Sequence, residues 1–335
     1  MSRKTRILGV VVVAAVLALA ACGSGSSGGS RLSVVAFSVA KGPYDILEKD
    51  FSATAAGKGV SWQSSFGASG DQSRNVAAGE QADLVHFSLA SDVTRLVDAG
   101  LVAKSWNAGP TKGILTDSVV VFVVRKGNPK HIKSWDDIVR PGIGIVSPNP
   151  GSSGSARWNI LAAYGQVLAH GGTKDQAKVY LTSFFKNVVA LPGSGREATT
   201  AFTAGTGDVL ISYENEAIAA RQGGASVDYV VPDATILIQN PAAVTKSAPA
   251  VAKQFLDYAL SYAGQKVFAA EGFRPVISGV HVDVVGANDP GDAFPAPAKL
   301  FTIDDTFGGW KQASKDFFDA KTGLVTAIQK ATGNH

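Results

Sequence analysis

The chain has 335 residues, 45% of them hydrophobic, and a formal net charge of +4 from 31 basic and 27 acidic residues. This composition excludes an intrinsically disordered chain, and the length suffices for two lobes with separate cores. Three of the basic residues (Arg3, Lys4 and Arg6) lie at the N-terminus, which leaves 28 basic against 27 acidic residues, without the basic cluster typical of a nucleic-acid-binding protein.

Residues 1–21 have the features of a secretory signal peptide. The basic start precedes an apolar stretch, residues 7–21, that is shorter than the roughly 20 residues a membrane-spanning helix needs. It ends in Leu19-Ala20-Ala21-Cys22-Gly23, which looks like a bacterial lipobox and predicts lipidation of Cys22, the only cysteine. A plain signal peptide with an incidental cysteine is the alternative. Residues 22–30 are then a lipidated flexible tether, and the protein is anchored to the outer face of the cytoplasmic membrane, in the cell envelope.

Hydrophobic periodicity predicts alternating strands and helices along the rest of the chain. In the first part, strands are predicted at 32–36, 60–64 and 83–87, and helices at 43–51, 71–79 and 93–98. The β-branched run 117–125 predicts a strand buried on both faces, suited to cross between lobes. Further strands are predicted at 143–147, 188–191 and 208–213, with helices at 135–139, 155–170, 174–186, 197–202 and 216–222. Extended segments at 229–232 and 236–238 precede a long helix at 250–269, a loop-rich stretch beyond Pro275, and one or two helices within 311–327.

Because strands alternate with helices, we expect an α/β fold of two doubly wound, mostly parallel lobes with a ligand cleft between them. Lobe 1 is predicted to comprise residues 31–117 and 234–276, and lobe 2 residues 118–233. Residues 277–335 form a C-terminal loop and helices that pack on the lobes.

Three Ser/Gly-rich stretches lie at predicted strand-to-helix junctions: residues 65–70, 152–155 and 193–196. A helix N-terminus presents unpaired N–H groups and the positive end of the helix dipole, and so stabilises an anion. Ser69 is placed to offer a hydroxyl and an N–H, and Ser153, Gly154 and Ser155 a hydroxyl and successive N–H groups. Gly195 adds an N–H with Arg196 behind it. For any single stretch, a simple N-cap is the alternative.

Other site chemistries have weaker support. The five histidines are dispersed, with no pairing at metal-ligand spacing, so we expect no metal or other cofactor. A serine hydrolase using Ser69 or Ser153 would need an acid/base histidine, which the sequence does not obviously supply. The stretch at 151–155 lacks the lysine of a phosphate loop.

Seven segments resemble the periplasmic sulfate-binding proteins of bacterial sulfate/thiosulfate ABC importers, in their lipoprotein form. They are residues 65–70, 82–86, 124–130, 135–137, 148–159, 208–217 and 301–310. The resemblance covers about residues 32–325 and implies a two-lobed periplasmic-binding-protein (type II-like) fold. It also implies that the protein is not an enzyme but a monomeric receptor, which passes sulfate to membrane permease subunits.

The resemblance also implies site residues. Ser69, Ser153, Gly154, Ser155 and Gly195 correspond to the family's sulfate donors, with Gly70 and Arg196 behind them. Tyr213 stands where the family usually has a tryptophan whose indole N–H binds sulfate. Ser155 replaces a glycine, Asp71 replaces a common lysine, and residues 38–43 replace an Asp-Pro-Thr-Arg-Glu segment. These departures leave thiosulfate, molybdate or phosphate as alternative ligands. A secreted serine hydrolase and an envelope adhesin or sensor without transport remain as other functions.

Overall fold

The computed structural model describes residues 30–334. Within this range the chain forms ten β-strands and thirteen α-helices. The strands are β1 (Arg31–Phe37), β2 (Ser61–Gly67), β3 (Leu84–His86), β4 (Ile114–Arg125), β5 (Ile145–Val146), β6 (Val188–Ala190), β7 (Val209–Tyr213), β8 (Val227–Val230), β9 (Ala234–Val244) and β10 (Lys299–Phe301).

The helices alternate with the strands over most of the chain. They are α1 (Lys41–Ser52), α2 (Ser69–Ala77), α3 (Ala90–Asp98), α4 (Trp135–Ile138), α5 (Gly154–Ala169), α6 (Lys174–Asn187), α7 (Gly195–Thr203), α8 (Glu214–Gln222), α9 (Ala250–Leu260), α10 (Tyr262–Ala270), α11 (Ile303–Phe307), α12 (Gly309–Phe318) and α13 (Leu324–Thr332). A short 3-10 turn, Ser38–Ala40, follows β1.

The strands lie in the order β2-β1-β3-β9-β4-β7-β5-β6, with β10 beside β9 and β8 beside β4. At the two ends of this order the strands run parallel, β1 with β2 and β3, and β5 with β6 and β7. These parallel groups are the doubly wound parts predicted from the alternation of strands and helices. The α/β fold is therefore confirmed.

The centre of the order is antiparallel because two long strands run through it. β4 pairs with β9 over its first half, from Ile114 to Val119, and with β7 and β8 over its second half. β9 in turn pairs with β3 through its last residues. The apolar run 117–125 thus links one parallel group to the other, as a strand that is almost entirely buried.

One helical prediction is wrong in detail. The long helix at 250–269 is two helices, since Ser261 has extended backbone angles and its side chain accepts a hydrogen bond from the Gly264 N–H at the start of α10. The C-terminal prediction is confirmed, because two helices, α12 and α13, overlap residues 311–327. A further short helix, α11, precedes them, and a left-handed Gly308 separates it from α12.

The C-terminal helices pack on the rest of the molecule through aromatic side chains. Trp310 of α12 meets the fully buried Trp158 of α5 edge-to-face, with ring centroids 4.5 Å apart. Phe317 packs against Tyr164 in the same way at 4.9 Å. None of the helices between residues 30 and 334 combines the length and apolar character that crossing a membrane requires.

Candidate anion-binding site

The three Ser/Gly-rich stretches lie next to one another at the starts of three helices. α2 begins at Ser69, α5 at Gly154 and α7 at Gly195. The Gly70 N–H donates to the Ser152 carbonyl at 3.0 Å, which joins the first stretch to the second. The Ser152 Oγ donates to the Gly193 carbonyl at 2.6 Å, which joins the second to the third. The structure therefore brings all three predicted stretches together.

Four backbone N–H groups at these helix starts have no hydrogen-bond partner among residues 30–334. They belong to Ser69, Gly154, Ser155 and Gly195. The first N–H groups of a helix have no intrahelical partner, so they stay available to an anion. The Ser153 N–H differs, because it donates to the Asn149 carbonyl at 2.9 Å.

The Ser69 hydroxyl does not have the expected role. Its Oγ donates to Asp92 Oδ2 at 2.7 Å and accepts from the Ser88 N–H at 2.9 Å. Asp92 is buried and also pairs with Arg95 at 3.0 Å. The only hydrogen of this hydroxyl is therefore committed to a carboxylate, and Ser69 can offer a ligand its backbone N–H alone.

Two other serine hydroxyls form a pair at the start of α5. Ser153 Oγ and Ser155 Oγ are 3.0 Å apart, and both residues are buried. One of the two hydroxyls donates to the other, so the pair keeps one hydrogen for a further acceptor. The serine that replaces a glycine at position 155 thus takes part in the hydroxyl arrangement of the site.

Tyr213 ends β7 and is fully buried. Its Oη lies 2.6 Å from Ser88 Oγ, 125 positions away in the sequence. Burial raises the pKa of the phenol well above its usual value, so the hydroxyl stays protonated at physiological pH. Tyr213 therefore contributes a neutral hydroxyl, which can both donate and accept.

Two arginines near the helix starts are paired with carboxylates. Arg196 contacts Glu216 at 2.8 Å, and burial raises the pKa of Glu216 while the guanidinium beside it lowers that pKa. Asp71, which stands where a lysine is common, forms an ion pair with Arg74. Arg196, in the first turn of α7, thus compensates the buried carboxylate of Glu216 in the first turn of α8.

Three glycines stand where the chain segments approach most closely. A Cβ on Gly154 would lie 2.6 Å from Ser88 Cβ, and one on Gly70 would lie 2.8 Å from the Ser152 carbonyl oxygen. A Cβ on Gly195 would lie 3.0 Å from Ser155 Oγ. The absence of side chains therefore lets the backbones of the helix starts come together.

The sequence missed two polar residues of the site, Ser88 and Asp92. Ser88 lies at the junction between β3 and α3, and Asp92 lies in the first turn of α3. This part of the chain has no glycine and so lacks the pattern that marks the other junctions. A serine directly after a predicted strand was the available signal. The carboxylate of Asp92 could not be assigned, because its partner Ser69 is 23 positions away in the sequence.

The hydrogen-bond partners of the Ser69 and Ser153 hydroxyls test whether either serine could be the nucleophile of a hydrolase. The Ser69 hydroxyl contacts an aspartate, and the Ser153 hydroxyl contacts a serine. His86 is fully buried and its Nε2 faces Thr116 Oγ1 at 3.4 Å. No histidine between residues 30 and 334 hydrogen-bonds to either serine, so the geometry of an activated nucleophile is not formed there.

Comparison with known proteins agrees with this geometry. Residues 32–274 match the model of the family described as bacterial extracellular solute-binding protein. A sulfate-binding protein from Synechococcus elongatus is 39% identical over 96% of this chain and 95% of its own length. The structure of the sulfate-binding protein SubI from Mycobacterium tuberculosis is 45% identical, with a TM-score of 0.80 over 87% of this chain and 100% of its own.

A thiosulfate-binding protein from Pseudomonas aeruginosa is 36% identical over 78% of this chain and 80% of its own length. These relatives are binding proteins, not enzymes. The chain belongs to the bacterial extracellular solute-binding proteins, in the group that includes the sulfate-binding proteins.

Proposed function

We propose that this protein is an extracytoplasmic receptor that binds sulfate between two lobes and delivers it to an ABC importer. The observation that carries the proposal is the convergence of three helix N-termini. Four N–H groups there, of Ser69, Gly154, Ser155 and Gly195, have no partner within residues 30–334. The similarity to sulfate-binding proteins along almost the whole chain supports the same ligand.

Sulfate suits a site made of donors. The dianion carries no proton near neutral pH, and its oxygens only accept hydrogen bonds. Each hydrogen bond to a charged group contributes roughly 1.5–3 kcal/mol, so several together can offset the cost of desolvating the ion. The hydroxyl pair of Ser153 and Ser155 supplies a further donor, and Tyr213 belongs to the proposed site through its contact with Ser88. The dipole of the 16-residue helix α5 adds to the binding of the anion.

The same site would discriminate against phosphate. Near neutral pH phosphate retains at least one proton, which needs an acceptor. Two carboxylates near the helix starts, Asp71 and Asp92, are each already paired with an arginine. An unpaired proton in a closed site costs about 1–3 kcal/mol, which corresponds to roughly a 5- to 150-fold loss of affinity.

Thiosulfate is the second candidate ligand, because a thiosulfate-binding protein is also similar over most of the chain. Thiosulfate has the charge of sulfate but carries one larger sulfur atom in place of an oxygen. A close-packed site with glycines at its contacts would fit sulfate better. Calorimetric titration of the secreted protein with sulfate, thiosulfate, molybdate and phosphate separates these ligands. We expect sulfate to bind most tightly, and phosphate binding as tight as sulfate would refute the proposal.

We further propose that residues 31–117 with 234–276, and residues 118–233, act as two lobes that close on the ligand. The long strands β4 and β9 connect the two parts and are the natural hinge. Residues 277–335 are assigned to a C-terminal segment that packs on the lobes. The proposal is supported by contacts that join the two parts at the site, such as Gly70 to Ser152.

The proposed membrane anchor lies outside the described residues. Cys22 would carry the lipid that ties the receptor to the outer face of the cytoplasmic membrane, close to the permease subunits of the importer. In the bacterium that encodes the protein, we expect Cys22→Ser to release it from the membrane fraction without changing sulfate affinity. Retention of the variant in that fraction would argue against lipidation at this position.

A further inference from the structure

Ser88 is tied to both halves of the site by its backbone. Its N–H donates to Ser69 Oγ at 2.9 Å, and its carbonyl accepts from Trp158 Nε1 at 2.9 Å and from Asn240 Nδ2 at 3.2 Å. Only 1% of the residue is exposed. The Ser88 backbone therefore has a fixed position, with both of its polar groups already bonded, and the side chain is held by its contact with Tyr213.

The Ser88 hydroxyl lies against the start of α5. Its Oγ is 2.7 Å from the point where a Cβ on Gly154 would stand. The unpaired Gly154 N–H belongs to the same residue, so the hydroxyl and this N–H occupy one small region of the site. An oxyanion accepting from Gly154 would consequently lie close to Ser88 Oγ.

The contact between Ser88 and Tyr213 leaves one hydrogen unassigned. The two oxygens are 2.6 Å apart, and each carries a single hydrogen. A phenol is a stronger acid than an aliphatic alcohol and hence the better donor, and the buried Tyr213 stays protonated. The Tyr213 O–H therefore donates to Ser88 Oγ, which leaves the Ser88 hydrogen to point elsewhere.

We propose that Ser88 is a ligand-contacting, specificity-determining residue whose hydroxyl donates to the bound oxyanion. Tyr213 is then a positioning residue. It does not contact the anion, but its hydrogen bond to Ser88 Oγ directs the Ser88 hydrogen toward the ligand. This inference rests on the proposed function, because it assigns a further donor within the same sulfate site. It also gives the phenol at position 213 a role that depends on the serine beside it.

The test is calorimetric titration of sulfate into the secreted protein and four variants. Ser88→Ala removes the proposed donor, Tyr213→Phe removes the group that positions it, and the double variant combines the two. Ser91→Ala is the matched control, because the Ser91 hydroxyl has no hydrogen-bond partner among the described residues. Melting temperatures without sulfate are measured in parallel to detect any purely structural effect.

We expect Ser88→Ala to weaken sulfate binding about 10- to 100-fold, the range of a lost hydrogen bond to a charged group. Tyr213→Phe should weaken it less, and the double variant should bind no worse than Ser88→Ala. Ser91→Ala should stay within about twofold of the wild type. In the near-ultraviolet spectrum, sulfate should perturb a tyrosine signal of the wild type that is lost in Tyr213→Phe and reduced in Ser88→Ala.

A larger loss for Tyr213→Phe than for Ser88→Ala would overturn the inference, since the phenol would then contact the anion directly. Equal affinities for Ser88→Ala and Ser91→Ala would also overturn it. If Ser88→Ala lowered the melting temperature without sulfate but kept the tyrosine signal of the wild type on sulfate addition, Ser88 would have a purely structural role and the inference would be overturned. Absence of sulfate binding by the wild type would refute the proposed function itself, and the inference with it.

Discussion

At the level of single residues, the proposed site depends on backbone groups more than on side chains. Among residues 30–334, the N–H groups of Ser69 and Gly195 have no partner because each residue opens a helix, whereas the charged Arg196 is paired with Glu216. Such donors are neutral and have fixed directions, so they need little reorganisation when an anion arrives. Small residues serve this purpose because they let the backbones approach.

Gly154→Ala tests this requirement for small residues. The added methyl group would meet Ser88 Cβ at 2.6 Å and Oγ at 2.7 Å, so the start of α5 must move away from the β3–α3 junction. We expect sulfate affinity to fall at least tenfold, as measured by calorimetry, with a small change in melting temperature. Gly109→Ala is the control, since a Cβ there meets no atom within 4 Å. Equal affinities of the two variants would contradict the close-packing argument.

The buried Asp117 carboxyl should make the free energy of unfolding depend on pH. Burial raises its pKa from 3.8 to about 7, with Arg274 opposing the change, and its Oδ1 has no hydrogen-bond partner among the described residues. The Arg274 guanidinium is instead bonded to Glu214, at 2.7 Å. Because the folded state holds this proton more tightly than the unfolded state, its stabilising contribution is present below pH 4 and is lost as pH rises to 7.

The corresponding variant is Asp117→Asn, which cannot ionise. The free energy of unfolding, from denaturant titrations at pH 5, 6, 7 and 8, should fall less steeply with pH for this variant than for the wild type. The backbone pairing of Asp117 with Arg274 involves no side-chain atom and should persist. Parallel pH profiles for the two proteins would show that the carboxyl does not titrate in this range.

At the level of elements, the sequence predicts the order of strands and helices well because apolar periodicity and β-branched runs are local signals. The junctions after β2, β5 and β6 were recognisable for the same reason. The hydroxyl directions were not predictable, since Ser69 bonds to Asp92 and Ser88 to Tyr213 over 23 and 125 positions. The split of the helix at 250–269 was missed because a single serine within an apolar periodic run gives only a weak stop signal.

Replacing Ser261 tests whether this residue stabilises the break between α9 and α10. Ser261 accepts from the Gly264 N–H at 3.4 Å and donates to the Tyr258 carbonyl at 2.6 Å, so it caps α10 and closes α9. We expect Ser261→Ala to lower the free energy of unfolding by about 1 kcal/mol, a typical value for a lost N-cap. Sulfate affinity should not change, because α9 and α10 contribute none of the proposed donors. An affinity loss without a stability loss would show that this junction is coupled to the site.

At the level of the whole molecule, two antiparallel strands far apart in sequence connect the parallel groups that carry the site. β4 and β9 pair from Ile114 with Pro241 to Val119 with Leu237, and the anion donors lie on both sides of this pairing. Such long-range pairing follows from no local pattern, which is why the antiparallel centre was not foreseen. A ligand held from both sides should stabilise the molecule as a unit.

Sulfate should therefore raise the melting temperature of the complete protein. At a free concentration 1,000 times the dissociation constant, a single site adds about 4 kcal/mol, which corresponds to several degrees for a chain of this size. Thermal unfolding with increasing sulfate, and with chloride at matched ionic strength as the control, measures the effect. An equal rise with chloride would indicate a general salt effect.

A sulfate titration followed by nitrogen-15 NMR tests most directly whether the four backbone amides at the helix starts bind the anion. If uncharged N–H groups at three helix starts hold the anion, the amide protons of Ser69, Gly154, Ser155 and Gly195 should shift downfield together, with one common affinity. The Ser153 amide, which already donates to Asn149, should shift much less. Sulfate binding that leaves these four amides unmoved would contradict the account.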